Sequence, residues 1–294
     1  MCVGLDTSAE YIPPYSCRLA ASDAEAILAF NYAIIDATAD IAACFKVQIA
    51  YYEALGKAGI DVYAKTLAMI REKKSLAIAD IKRGDIADTA VQYAKAHFEG
   101  DLEADFVTLS PYMGMDSIEP WLKFAKTKGK GAFVLMKTSN KGMQDFENLE
   151  LRDATRVYHA VGDKLAILAG QYMGIHGYGA FGAVVGACPK TGTEREAAST
   201  CEAGDDATLR ERYGNLFFLI PGYGAQGGAA EDAALLLREG NGGVVNASRS
   251  ILKAWIGADN DKTNTAKTDN YFAAEAARKA VVSMRDAIWK ATGK

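Results

Sequence analysis

The sequence predicts a (β/α)8 barrel, a TIM barrel of the α/β class, built as one domain over residues 1–294. Eight short apolar stretches alternate with longer helical patterns. Those stretches are apolar throughout, as strands covered on both faces should be. The length of 294 residues matches one barrel with modest insertions. An open doubly wound sheet is the alternative. Eight repeats, and no Gly-rich loop after the first strand, weigh against it.

The elements follow in order. Strand one is Met1–Leu5 and runs into Asp6. A helix over Asp23–Asp40 has apolar residues at helical spacing, with Ser22 and Glu25 as a capping box before it. Strand two, Cys44–Ile49, carries Lys46, and a helix over Asp61–Glu72 follows. Strand three, Leu76–Ile81, lies between a Lys-rich turn and Gly84. Its helix is Ile86–Phe98, with Gly100 as the stop. Strand four is Phe106–Leu109, followed by a helix over Ser117–Lys126 with Ser117 as its N-cap. Strand five, Ala132–Met136, leads into Lys137-Thr138-Ser139-Asn140 and then a helix over Leu149–Tyr172. Strand six is Phe181–Val185. Glu194–Tyr213 reads as helix in two pieces, broken near Gly204. Strand seven, Leu216–Ile220, opens into the Gly-rich stretch Pro221–Gly228, and a helix over Ala229–Glu239 follows. Strand eight, Gly243–Val245, leads to Asn246–Ser250. Asn270–Ala291 is a closing C-terminal helix. The polar stretches 200–207 and 257–268 read as surface additions.

The net charge of −4 argues against general nucleic-acid or membrane-surface binding. No apolar run approaches the roughly 18 residues of a transmembrane helix. Met1–Asp6 carries no basic region leading into an apolar signal core. Five dispersed cysteines, with no C-x-x-C pair, fit reduced thiols. The expected compartment is the cytoplasm. The three histidines show no metal-ligand spacing, so no metal is expected.

The densest chemistry lies at Asp80, Lys82 and Asp85. Positions i and i+2 of a strand share a face, so Asp80 and Lys82 should point the same way. Asp85 falls in the loop just beyond. A structural ion pair at a strand end is one reading, and a catalytic carboxylate–ammonium array is the other. Two stretches match G-x-G-x-x-G, Gly177–Gly182 and Gly222–Gly227. The first runs into a strand and reads as a turn. The second follows a strand and precedes a helix, where it could cradle a phosphate.

Barrel chemistry gathers where strands end. Polar groups recur there: Asp6, Lys46, Asp80 with Lys82, Lys137 to Asn140, the Pro221–Gly228 loop, and Ser248-Arg249. The loops after strands seven and eight are where barrels often hold phosphate. Glycine lets backbone N–H groups approach the anion, and Arg249 can add a bidentate contact.

These residues resemble the orotidine 5'-phosphate decarboxylase family. The resemblance rests on D-x-K-x-x-D-I at Asp80–Ile86 with Thr89, the opening Gly4-Leu5-Asp6, and Phe45-Lys46-Val47-Gln48 with Tyr51-Tyr52-Glu53. It continues through Ser110–Gly114, Asp116-Ser117, Lys137–Asn140, Pro221–Gly228 and Ser248-Arg249. It covers nearly the whole chain and is nearest to the longer bacterial subgroup. The D-x-K-x-x-D element by itself is shared with related sugar-phosphate enzymes.

The resemblance implies decarboxylation of orotidine 5'-monophosphate (OMP) to uridine 5'-monophosphate (UMP) and carbon dioxide, the last step of de novo UMP synthesis. No metal or organic cofactor is implied. Lys82 would give its proton to C6, and Asp80 would sit beside the departing carboxylate. Lys46 would hold Asp80 and a ribose hydroxyl, and Asp6 would bind ribose. Ser139 would contact the pyrimidine, and Gln226 and Arg249 the phosphate. Asp85, Ile86 and Thr89 would reach the active site of a second subunit, making a homodimer with shared sites. Two alternatives remain: a metal-dependent sugar-phosphate decarboxylase or aldolase of related barrels, and a nucleotide-binding homologue without turnover. The metal-dependent enzymes carry an acidic ligand near the end of strand two, where this chain has Lys46, a poor Mg²⁺ partner.

Overall fold

The computed structural model describes residues 1–187, 205–224, 229–257 and 269–293. Eight strands close into a barrel in chain order. They are β1 (Cys2–Gly4), β2 (Cys44–Gln48), β3 (Ala77–Arg83), β4 (Phe106–Leu109), β5 (Gly131–Lys137), β6 (Phe181–Val185), β7 (Phe218–Ile220) and β8 (Gly243–Ala247). The helices are α1 (Pro14–Leu19), α2 (Asp23–Thr38), α3 (Ala50–Glu53), α4 (Gly56–Glu72), α5 (Ala87–Phe98), α6 (Glu119–Lys128), α7 (Val157–Gln171), α8 (Asp205–Arg212), α9 (Ala230–Leu235), α10 (Arg249–Leu252) and α11 (Asn270–Ala291). The expected strands are all present, two of them at the expected bounds and the others with ends shifted by at most two residues. The (β/α)8 class therefore holds.

The chain divides into two compact units, one of Met1–Ile81, Ala96–Asp105 and Ala247–Asp286, the other of Lys82–Lys95, Phe106–Asn246 and Ala287–Lys294. In the first, β1 and β2 pair in parallel with Gly4 opposite Lys46, and β2 and β3 pair with Gln48 opposite Asp80. Val3, Phe45, Val47, Ile78 and Ala79 are buried, which accounts for the unbroken apolar runs. Ser22 Oγ accepts the Glu25 N–H at 3.3 Å and caps α2 as expected. The Glu25 carboxylate reaches back one residue further than a standard capping box, to the Ala21 N–H at 2.8 Å. Helix α4 starts at Gly56, five residues before the expected Asp61. Its glycines hid that first turn, because glycine is a poor helix former. Gly59 is there for packing: a Cβ would fall 1.9 Å from the Tyr52 carbonyl oxygen.

The second unit carries the other departures. Ser117 is not the N-cap of α6. It is buried in a 3-10 turn, its hydroxyl donates to Gly114 O at 2.6 Å, and Ile118 stands at the cap. The helix expected from Leu149 begins only at Val157. Residues 149–156 instead fold into a turn in which Glu150 and Arg156 bridge. Asp153 Oδ1 accepts the Thr155 N–H there at 3.0 Å, so a side chain competes with the helix for the backbone. Helix α9 stops at Leu235, short of the expected Glu239, and the chain then makes a turn bridged by Arg238 and Asn241, with Glu239 and Gly240 at φ of +50° and +79°. Gly177, at φ +78°, turns the chain ahead of β6, as expected of the first Gly-rich match. Of the predicted two-piece helix, Asp205–Arg212 is helical, and residues 194–204 lie outside the described residues. Half of the second Gly-rich match, most of both additions, and Cys188 and Cys201 lie outside them too. Cys2, Cys17 and Cys44 are free thiols. Among the described residues no helix is long and apolar enough to cross a membrane.

Candidate active site

The first unit assembles a charged array from Asp6, just past β1, Lys46 within β2 and Asp80 within β3. Lys46 Nζ lies 3.0 Å from Asp6 Oδ1 and 2.9 Å from Asp80 Oδ2. Gln48 Nε2 donates to the same Asp80 oxygen at 2.9 Å. The parallel register explains the grouping. Gly4 and Ile78 flank Lys46 on neighbouring strands, and each carboxylate lies two residues further along its chain. Alternate residues share a face, so both acids come round to the lysine. The Lys46 side chain is 5% exposed, that of Asp80 8% and that of Asp6 25%, so one carboxylate stays open to solvent. Burial opposes the Lys46 charge, but attraction from Asp6 and Asp80 outweighs it. The ammonium is held well above the ordinary lysine range. Its role is therefore a fixed cation.

The strand-eight loop belongs to the same unit. Ser248 Oγ accepts the Asp6 N–H at 3.3 Å, and exposed Arg249 opens α10. The Tyr51 hydroxyl is pushed up by burial and then by Asp6, with Arg249 opposing. Asp6, Tyr51 and Arg249 thus share one electrostatic neighbourhood.

The second unit holds the remaining candidates. Lys82 is exposed at φ +44°, a left-handed conformation unusual for a non-glycine residue. Its N–H donates to Thr108 Oγ1 at 3.0 Å, which ties the turned backbone to β4. Strand β3 therefore twists at Lys82, one residue before its last residue, Arg83. Asp85 Oδ1 accepts the Ile86 N–H at 2.9 Å, and Ile86 and Thr89 are exposed. Ser139 is exposed and closely backed by Gly186, where a Cβ would fall 2.8 Å from both the N and Cβ of Ser139. Gln226 lies outside the described residues.

Three contributors were not expected from the sequence. Gln48 joins Lys46 on Asp80; its place two residues after Lys46 on a strand is a signal that could have found it. Glu147 grips Thr138, taking the backbone N–H on Oε2 and the hydroxyl on Oε1, each at 2.7 Å. Gly186 leaves room for Ser139. The last two act across tertiary contacts and leave no local pattern. Lys137, just before Thr138, is buried 3.4 Å from Asp206. Among the described residues no group of three or more His, Cys, Asp or Glu side chains could hold a metal ion.

Residues 1–258 match the model of the family described as "Orotidine 5'-phosphate decarboxylase / HUMPS family". A curated relative from Clostridium perfringens, named orotidine 5'-phosphate decarboxylase, is 53% identical over 99% of this chain and 94% of its own length. One of the same name from Clostridium tetani is 50% identical over 99% of this chain and 93% of its own length. The solved Leishmania donovani OMP decarboxylase superposes with a TM-score of 0.69 and 30% identity, covering 97% of this chain and 94% of that one.

Proposed function

The chain belongs to the orotidine 5'-phosphate decarboxylase / HUMPS family, and on that premise we propose how its residues divide the work. The reaction is decarboxylation of OMP to UMP and carbon dioxide, the step that completes pyrimidine nucleotide synthesis. The observation that carries this reading is Lys46 shared between Asp6 and Asp80, two residues before Lys82 on the same strand.

The C6–carboxylate bond breaks, carbon dioxide departs, and the electron pair stays on C6 in an sp² orbital orthogonal to the ring π-system. Delocalisation into the ring carbonyls is not available to it. The Lys82 ammonium faces that pair, stabilises it, and transfers a proton to C6. The lysine is left neutral and regains its proton from solvent. Asp80 lies beside the departing carboxylate. Lys46 holds Asp80 and a ribose hydroxyl, and Asp6 takes ribose. Ser139 reads the pyrimidine edge, and Gln226 and Arg249 bind the phosphate. Asp85, Ile86 and Thr89 serve the site of a second subunit, so the working unit is a homodimer. The free thiols of Cys2, Cys17 and Cys44 support a cytoplasmic enzyme. No metal is assigned a role. Asp6 and Asp80 already share an ammonium where a divalent cation would need their oxygens, which disfavours a metal-dependent sugar-phosphate reaction.

The test is the fall in absorbance of the orotate ring when purified protein meets OMP with EDTA present, beside Lys82→Ala. Turnover that survives the chelator and disappears in the variant supports the assignment. A wild type inactive on OMP sinks it.

A further inference from the structure

Asp6 stands just past the end of β1, where the sheet no longer fixes the chain. The last bond of that ladder runs from the Leu5 N–H to Lys46 O at 2.7 Å. Beyond it, a buried side-chain network takes over. Tyr52, on the short helix that follows Lys46's strand, donates its hydroxyl to Leu5 O at 3.1 Å. Thr7 donates its hydroxyl to Asn31 Oδ1 at 2.7 Å. The Asn31 amide then donates to Tyr52 Oη at 2.8 Å and to Thr66 Oγ1 at 3.1 Å. Thr66 in turn donates to Val62 O at 2.8 Å.

Each hydroxyl here donates once, and both amide hydrogens of Asn31 are used. Asn31, Tyr52 and Thr66 are fully buried and Thr7 is 1% exposed. A buried network satisfied at every member is stiff, because each lost bond strands a partner away from water. It holds the residue before Asp6 and the residue after it. The Asp6 side chain between them has one oxygen on Lys46 and remains a quarter exposed. The network therefore fixes the place of a carboxylate that does not itself belong to it.

We propose that Asn31 and Tyr52 are positioning residues of the active site. Acting through Leu5 and Thr7, they set Asp6 against Lys46 and against the ribose of the substrate. This rests on the assignment of Asp6 as the ribose-binding carboxylate. Displacing a binding group by about an ångström can cost up to a hundredfold in rate. Partial loosening should cost about tenfold in kcat/KM.

The experiment is a double-mutant cycle between Tyr52→Phe and Asp6→Asn, read on kcat/KM for OMP and on UMP affinity, with melting temperature measured alongside. Positioning predicts a loss of about tenfold for Tyr52→Phe in the wild-type background. In the Asp6→Asn background the loss should fall below about twofold. Melting temperature should drop equally in both. A purely structural role predicts the same factor on kcat/KM in both backgrounds, and that result overturns the proposal. Thr7→Val repeats the cycle should Tyr52→Phe fail to fold. Thr7→Ser, which keeps the hydroxyl, should restore activity to within about twofold of wild type; a Thr7→Ser as impaired as Thr7→Val also counts against the network. A wild type that binds UMP without turning over OMP would refute the activity, and the UMP cycle would still decide the positioning. A wild type that does neither refutes both.

Discussion

Replacing Lys46 by methionine keeps the length of a buried side chain and removes its charge. The ammonium lies 2.9 Å from Asp80 and 3.0 Å from Asp6. At an effective dielectric of about 20, a unit pair at that distance attracts by roughly 5 to 6 kcal/mol. Burial of both charges offsets much of this, so the intact pair adds little net stability. Removing one partner is different, because Asp80 loses the Lys46 ammonium while it stays buried, at a cost of up to about 3 to 5 kcal/mol. Asp6 adds less, since it is a quarter exposed and solvent screens it. The sign with pH follows from linkage. The folded Lys46 pKa lies above the unfolded one, so its stabilisation is complete below the ordinary lysine value of about 10.4. It is lost only as pH rises through the still more alkaline folded value. Near neutrality the wild type keeps all of it and Lys46→Met keeps none. Acid should narrow the gap, because protonating a carboxyl removes the uncompensated charge. Urea unfolding of both proteins near neutral pH and at about pH 5 tests this. Coincident midpoints at neutral pH, or a deficit of equal size at both pH values, would refute the reasoning.

Three further outcomes are expected. Mixing Lys82→Ala with Asp85→Ala under conditions of subunit exchange should restore about a quarter of wild-type activity, since half the dimers are hybrids with one intact site each; no recovery despite proven exchange excludes shared sites. Gly186→Ala puts a Cβ 2.8 Å from Ser139, so kcat/KM for OMP should fall about tenfold or more in steady-state kinetics while the fold survives. Glu147→Ala leaves the Thr138 N–H without its acceptor, for about 1 to 3 kcal/mol of thermal stability and a raised KM; Glu147→Gln, which keeps one acceptor oxygen, should lose less than half as much in a melting experiment.

The barrel was legible because its strands are buried on both faces, so each of the eight writes an apolar run into the sequence. The placing of Asp6, Lys46 and Asp80 near strand ends was legible, while the bond from Lys46 to Asp6 was not expected. In a parallel barrel, polar residues at successive strand ends fall on one rim, and these three carry opposite charges. Legibility failed where a side chain competes for the backbone. Leu151, Ala154 and Tyr158 have spacing that imitates a helix, and only the Asp153–Thr155 turn shows why the chain does not form one. It failed again where partners are distant in sequence. Asn31 lies on a helix whose apolar pattern is unremarkable, and its use emerges only when Thr7, Tyr52 and Thr66 converge on it. The positive φ of Lys82 was likewise invisible, because nothing in a lysine announces a left-handed backbone. Such a conformation costs on the order of 1 to 3 kcal/mol and persists where surrounding structure imposes it. Here the bond to Thr108 does so, and a held distortion at the proposed proton donor fits a site built for geometry ahead of stability.

The geometry of Asp80 limits how the proposed reaction can be driven. A bare carboxylate about 4 Å from the substrate carboxylate would repel it by roughly 4 kcal/mol at an effective dielectric near 20, about a thousandfold if all of it were relieved in the transition state. Asp80 is not bare. The same oxygen accepts from Lys46 and from Gln48, each at 2.9 Å. A substrate carboxylate meets a charge partly offset by Lys46, which Asp6 shares, and by the hydrogen bond from Gln48. Ground-state repulsion can then supply only a small part of the 8 to 23 kcal/mol or so that enzymes typically remove from a barrier. The larger part falls to charge stabilisation by Lys82 and to phosphate and ribose binding energy used to order the site. On the proposed reading, Asp80 would serve less to expel carbon dioxide than to hold Lys46 in place. Lys46 also bonds Asp6, so one shared ammonium would locate both the ribose and the departing carboxylate.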